Sequence, residues 1–286
     1  MVLDGRGGIV SPAGEGRLRV GLGEIEALRR GRGRPILLIH GINPVSPQAP
    51  FLDGLAEHGE IIAPSAPGFG NSPRPADFDT MYDLVHLYRE VLDGLPGQAT
   101  LIGFSFGGWI AAEISAAGSP KIDRLVLVDP VGIKIGGREE RDIVHFFNTS
   151  PEELNRRSWH DPARRPPGCW GLGWQAAIDD ALSDDDMILL ARNWDALCLY
   201  AWRPHMYNPQ LKHWLHRISV PTLVLWGASD RIVTPAYGRA YADLIPGARF
   251  EIIESAGHHP ELEQPRAFVD AVAISSPRHD VHHSQL

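Results

Sequence analysis

The chain has 286 residues, 43% of them hydrophobic and 22% charged, which suits one large α/β domain or one such domain with an insertion. A formal charge of −8 with no long basic run argues against nucleic acid or an anionic membrane surface as the main partner. No stretch reaches the roughly 20 apolar residues of a membrane span, and "MVLDGRGGIVSPAG" lacks the apolar centre of a secretory signal, so a cytoplasmic location is expected.

Taken in chain order, "RLRV" and "EIEAL" flank Gly21-Leu22-Gly23 and predict an opening hairpin. "PILLIH" and "EIIAPS" read as the next two strands. Met81, Leu84, Val85, Tyr88, Val91 and Leu92 then repeat at helical spacing, with Asp79 or Thr80 placed to cap the start. "ATLIGF" and "RLVLVD" follow as strands, and "PTLVLW" and "ARFEII" close the series. The later runs are almost continuously apolar, as strands covered on both faces must be. Eight strands alternating with helical patterns predict a mostly parallel sheet flanked by helices.

Residues 133–216 break the alternation. No strand pattern occurs there, whereas "SPEE" supplies an N-cap at Ser150, a proline at the first helical position and a capping-box Glu153. A second helix is expected to start near Ser183 with an acidic first turn. The segment reads as a helical insertion between two parts of a core, 1–132 and 217–286, the last dozen residues (275–286) forming a flexible tail. It holds Trp159, Trp170, Trp174, Trp194, Trp202 and Trp214, six of the eight tryptophans. A thin insertion cannot bury six indoles, so at least one is expected to face a cavity. Cys169 and Cys198 lack metal-ligand spacing and are expected as free thiols.

The stretch that carries chemistry is Gly103-Phe104-Ser105-Phe106-Gly107, a G-x-S-x-G pattern directly after one strand and directly before a helix. A sharp strand-to-helix turn pushes the serine hydroxyl out of the sheet, and the helix start aims free N–H groups at negative charge developing beside it. A serine hydroxyl at neutral pH needs a base, and the base an orienting acid. His258 and His259 lie in a loop after the last strand, and Asp129 and Asp230 each lie at or just past a strand end, where such sheets gather their sites.

With "LLIHG", "PGFGNS", "GFSFG", "WGASD" and "AGHHP" in this order, the chain resembles the α/β-hydrolase family over nearly its whole length. The resemblance implies an eight-stranded α/β-hydrolase fold with the helical insertion as a cap. It implies Ser105 as nucleophile, His258 as base through the pattern G-H-x-P, and the N–H groups of Ile42 and Phe106 as oxyanion hole. Asp230 is the expected acid, since Ser105, Asp230 and His258 follow the family's usual order. Asp129, a position where some members carry the acid, is then a turn or cap residue.

The reaction so implied is hydrolysis of a carboxylic ester of a small to medium, largely apolar substrate through an acyl-enzyme, with no cofactor and no metal. A serine at the elbow separates the chain from the epoxide hydrolases and haloalkane dehalogenases, which use aspartate there. Asn43 beside the oxyanion loop is then simply a turn residue. The meta-cleavage-product hydrolases, which split carbon–carbon bonds, share the triad but usually carry a tryptophan where this chain has His259. Lactone hydrolysis stays open, as does, from another class, a ligand-sensing role. Trp194, Trp202 and Arg192 are the expected substrate-binding residues of the cap. The partner expected is a small ester, with the protein a monomer or homodimer.

Overall fold

The computed structural model describes residues 16–177 and 182–274, so the expected tail lies outside the described residues. Eight strands form a single sheet: β1 (Gly16–Val20), β2 (Gly23–Arg30), β3 (Pro35–Ile39), β4 (Glu60–Pro64), β5 (Ala99–Phe104), β6 (Ile122–Val128), β7 (Thr222–Gly227) and β8 (Arg249–Ile253), in the order β1-β2-β4-β3-β5-β6-β7-β8. β2 pairs antiparallel with β1 and with β4, and every later pairing is parallel. All eight coincide with the strands read from the sequence.

Alternation within the apolar strands explains the layers. Leu37, Leu101, Leu127 and Val224 face one core, whereas Leu38, Ile102, Val126 and Leu225 face another. A strand covered on both sides needs apolar residues at both parities, which is why β3, β5 and β7 are buried throughout. The helices are α1 (Leu52–Ala56), α2 (Met81–Asp93), α3 (Phe106–Ala117), α4 (Pro151–Ser158), α5 (Asp184–Ala201), α6 (Pro235–Asp243), α7 (Pro260–Glu263) and α8 (Pro265–Ile274). Leu84, Tyr88 and Val91 of α2 join the first core, and Leu52 of α1 and Phe268 of α8 join the second.

The helix starts follow their caps. Thr80 accepts from the Asp83 N–H while Asp83 reaches back to the Thr80 backbone, and Ser183 and Asp186 do the same for α5. At α4 the Ser150 hydroxyl accepts from the Glu153 N–H, but the Glu153 carboxylate does not close the expected box. It is drawn instead to Arg156 at 2.7 Å and to Arg157 at 2.5 Å, one turn on.

Between β6 and β7 the described residues carry α4, α5 and short 3-10 turns, and no strand. The chain steps from β3 to β4 on one side and then crosses from β4 past β3 to β5 on the other, so the strand order reverses at β3. Ligands of open α/β sheets bind beyond the carboxyl ends of the strands at such a switch. The loop after Ile39 and the turn after Phe104 meet there.

Candidate active site

β5 ends at Phe104 and α3 begins at Phe106, so Ser105 alone makes the turn, at φ 50° and ψ −111°. That conformation is strained for a residue with a Cβ and holds only because its surroundings fix it. The Ser105 N–H donates to the Val128 carbonyl at 2.9 Å, and its own carbonyl accepts from Trp109 and Val131. A side chain at Gly107 would run into the carbonyls of Ile39 and His40, so only glycine lets α3 start this close to the end of β3.

His258 closes on the serine from the other side. Its Nε2 lies 2.8 Å from Ser105 Oγ, and its Nδ1 lies 2.7 Å from Asp230 Oδ2. An Nδ1–H donating to the carboxylate leaves Nε2 free to accept the serine proton. Asp230 is held in turn by the Ile232 and Val233 N–H groups, both donating to Oδ1. The His258 backbone N–H donates to Ser158 O at the end of α4, and a Cβ on Gly257 would strike Ser158 O and His160 N. Glu263 reinforces this seam by accepting from the N–H groups of Gly257, His160 and Asp161.

The loop after β3 rests on His40. Burial pushes its ring down to about 4, so it is neutral, with Nδ1–H donating to Gly41 O at 2.8 Å and Nε2 accepting from the Ala66 N–H at 3.0 Å. These bonds fix the loop that presents Ile42. No backbone carbonyl among the described residues takes the N–H of Ile42 or of Phe106, and both residues line the same cavity as Ser105. Two unpaired donors beside a nucleophile can hold an oxyanion.

The cavity has a volume of about 830 Å³. Ile42, Phe106, Phe146, Leu190, Leu197 and Met206 give it an apolar wall. Among the described residues its one arginine, Arg17, is exposed on β1, and no lysine lines it. Glu26 lies near that arginine; burial alone would raise its carboxyl, but hydrogen bonds from Asn71 and Ser65 outweigh this and hold it below its ordinary value. Among the described residues, the inner lining therefore holds no lysine or arginine to meet an anionic substrate.

Several expected residues lie elsewhere. Trp194 packs on Phe146 and Phe147, and Trp202 on Phe147 and His145, in an aromatic cluster that reaches the cavity only through Phe146; neither tryptophan lines it. Arg192 points its guanidinium at Ser72 O, 2.6 Å away, and also leaves the lining. The tryptophan facing the cavity is Trp170. Asn43 does more than make a turn: its amide donates to Trp170 O and accepts from Asn193, whose own carbonyl takes the Gly70 N–H. This chain of amides ties α5 to the loop after β3. The signal was present in α5, since Asn193 sits on the stripe Leu190, Asn193, Leu197, where a polar residue on an apolar face needs partners. Asp129, read as a turn or cap residue, is fully buried and caps no helix; its Oδ1 accepts from the Gly227 N–H.

Asp129, Asp230 and His258 also form a cluster of potential metal-ligating atoms within 4.8 Å of one another. Two ligands of a tetrahedral zinc, each about 2.1 Å from the metal, stand roughly 3.4 Å apart. The 2.7 Å between His258 and Asp230 is the length of a hydrogen bond and leaves no room for an ion between them. Both cysteines are free thiols, and burial raises each of them to about 11, so neither is a ready nucleophile. No helix among the described residues is long and apolar enough to cross a membrane.

Comparison with known proteins agrees with this architecture. The model of the alpha/beta hydrolase family matches residues 36–271. A 2-hydroxymuconate semialdehyde hydrolase of Pseudomonas sp. (strain CF600) is 29% identical over 261 residues, 85% of this chain and 86% of that protein. The biotin biosynthesis bifunctional protein BioHC of Teredinibacter turnerae is 28% identical over 238 residues, 76% of this chain; the match spans only 39% of that longer protein. Among solved structures, a meta-cleavage product hydrolase superposes with a TM-score of 0.70 at 21% identity, over 91% of this chain and 97% of its own.

Proposed function

The chain belongs to the alpha/beta hydrolase family, and on that premise we propose that it hydrolyses uncharged carboxylic esters of small to medium size through Ser105, His258 and Asp230. The observation that carries this reading is the unbroken relay from Ser105 Oγ through both ring nitrogens of His258 to Asp230, opening on a cavity with one apolar wall, beside two N–H groups that no backbone carbonyl among the described residues takes.

In the first half-reaction Ser105 Oγ attacks the ester carbonyl as His258 Nε2 takes its proton. Asp230 stabilises the imidazolium, and the N–H groups of Ile42 and Phe106 receive the oxyanion. His258 returns the proton to the leaving alcohol, then draws one from the water that attacks the acyl-enzyme; as the bond from Ser105 Oγ to the acyl carbon breaks, His258 gives that proton to Ser105 Oγ and the acid is freed. No step requires a metal or cofactor.

Carbon–carbon hydrolysis is the second reading, supported by the relatives. Some of them are named for acids, such as 2-hydroxy-6-oxo-6-(2'-aminophenyl)hexa-2,4-dienoic acid. A substrate carboxylate calls for a buried cation, and here Arg17 is exposed and Arg192 is committed to Ser72, which favours the ester. Fluorophosphonate treatment read by intact mass, beside a panel of nitrophenyl esters and a hydroxy-oxo-dienoate, decides between them. A single adduct on the wild type that Ser105→Ala lacks, with ester turnover exceeding dienoate turnover, is the expected result. An adduct with dienoate turnover alone selects the second reading, and one slow binding event without repeated turnover selects a sensing role.

A further inference from the structure

Asp129 stands at the end of β6 beside Asp230, and neither carboxyl group reaches solvent to any useful extent, at 0% and 2% exposure. One oxygen of each lies within 4.8 Å of the other and of a His258 ring nitrogen. Two carboxylates this close in a dry interior cannot both ionise. The donors decide which one does. Asp230 receives N–H bonds from Ile232, Val233 and His258. Asp129 receives one, from Gly227 to Oδ1, and no donor among the described residues reaches its buried Oδ2. An oxygen without a donor is the one that carries a proton, and the acceptor beside it is Asp230.

We propose that Asp129 is a positioning residue: a neutral carboxylic acid whose Oδ2–H donates to the Asp230 carboxylate and fixes it toward His258. The inference rests on the reading of His258 and Asp230 as base and acid. The groups facing Asp129 are Asp230, Glu261 and the His258 ring, of which the two carboxylates oppose its ionisation. Burial, then the Asp230 charge, then Glu261 all push its carboxyl well above the usual range, against a single opposing hydrogen bond from Gly227. The neutral acid spreads part of the Asp230 charge, so the imidazolium is held less tightly and the proton is returned more readily.

The backbone allows a clean test. Asp129 has φ 42°, a conformation that asparagine and glycine tolerate and alanine does not. Asp129→Asn keeps an acceptor for Gly227 and a donor for Asp230. It should hold kcat within about threefold of wild type, with the acid limb of the kcat/KM profile unmoved. Asp129→Gly removes the donor and should lower kcat about tenfold at unchanged KM, the acid limb moving to higher pH. Infrared difference spectra at neutral pH should show a protonated carboxyl band in the wild type that Asp129→Asn abolishes. Should that variant not fold, the band must shift in Asp230→Asn, where its acceptor becomes an amide.

Loss of activity in Asp129→Asn as deep as in Asp230→Asn, an unchanged kcat in Asp129→Gly, or a wild type without the band would overturn the proposal. The infrared result needs no turnover. A band behaving as described in a protein that fluorophosphonate does not label would refute the serine-hydrolase reading and leave the shared proton standing.

Discussion

The floor of the cavity and its roof are built on different principles. On the floor, at the ends of β3, β5, β7 and β8, each functional group is fixed by backbone: Ser105 by Val128, Asp230 by Ile232 and Val233, His40 by Gly41 and Ala66. The roof, made by α5 and the turns around it, is mostly apolar side chains, anchored through few polar contacts such as Asn193 with Gly70 and Tyr200 with Pro67 O. A floor of this kind sets the reaction and a roof of this kind sets the size and shape of what reacts. The two should fail in different ways when altered.

The largest effects belong to the floor. Ser105→Ala should lower kcat on the order of a million-fold, and Asp230→Asn on the order of ten-thousand-fold, with KM and the thermal midpoint nearly unchanged. Steady-state kinetics on one nitrophenyl ester beside a melting curve checks both, and residual activity within about a hundred-fold of wild type would remove either residue from its role. Gly257→Ala tests the seam instead. The added methyl meets Ser158 O and His160 N, displacing the histidine loop, and a shift near 1 Å costs about a hundred-fold in kcat.

The same division explains what could be read from the sequence. Floor residues leave a local signature because a strand, a one-residue turn and a helix fit only certain residue types in a fixed order; the strands and the strained serine were legible for that reason. Asp129 sits at a turn as read, but its burial beside Asp230 was not legible, because Asp230 lies 101 positions away in the sequence and only the pairing of β6 with β7 brings the two ends together. The roof left less. Trp194 and Trp202 promised a pocket, yet which face of α5 turns down depends on how the loop before it packs. Trp170 reaches the cavity from that loop, beneath the Arg165 guanidinium, where no periodicity points.

Acid should distinguish the two regions more gently. His40 on the floor and His205 among the roof aromatics are both held down to about 4 by burial. Between the ordinary 6.5 and this value the unfolded chain binds protons that the folded one refuses, so stability is complete above 6.5 and falls as pH drops toward 4. For the fully buried His40 the loss is up to about 3 kcal/mol. Chemical denaturation across this window should give a flatter profile in His40→Gln than in wild type; His205→Gln, whose ring is only partly covered, should flatten it less. Equal slopes in wild type and His40→Gln would mean that the loop bearing Ile42 tolerates a charged ring.

The smallest effect is the most discriminating. Leu190 and Trp194 are one turn apart on α5, yet Leu190 lines the cavity and Trp194 turns away to Phe146 and Phe147. Removing an apolar side chain from a cavity wall alters binding of the chain that fills it by about 1–3 kcal/mol, so Leu190→Ala should move the preferred ester length by roughly tenfold in kcat/KM. Trp194→Ala removes a larger side chain but no wall, and should lower the thermal midpoint while leaving the order of esters within about twofold. A length preference that follows Trp194 and ignores Leu190 would mean that the acyl chain runs through the aromatic cluster, with the roof and its packing exchanged.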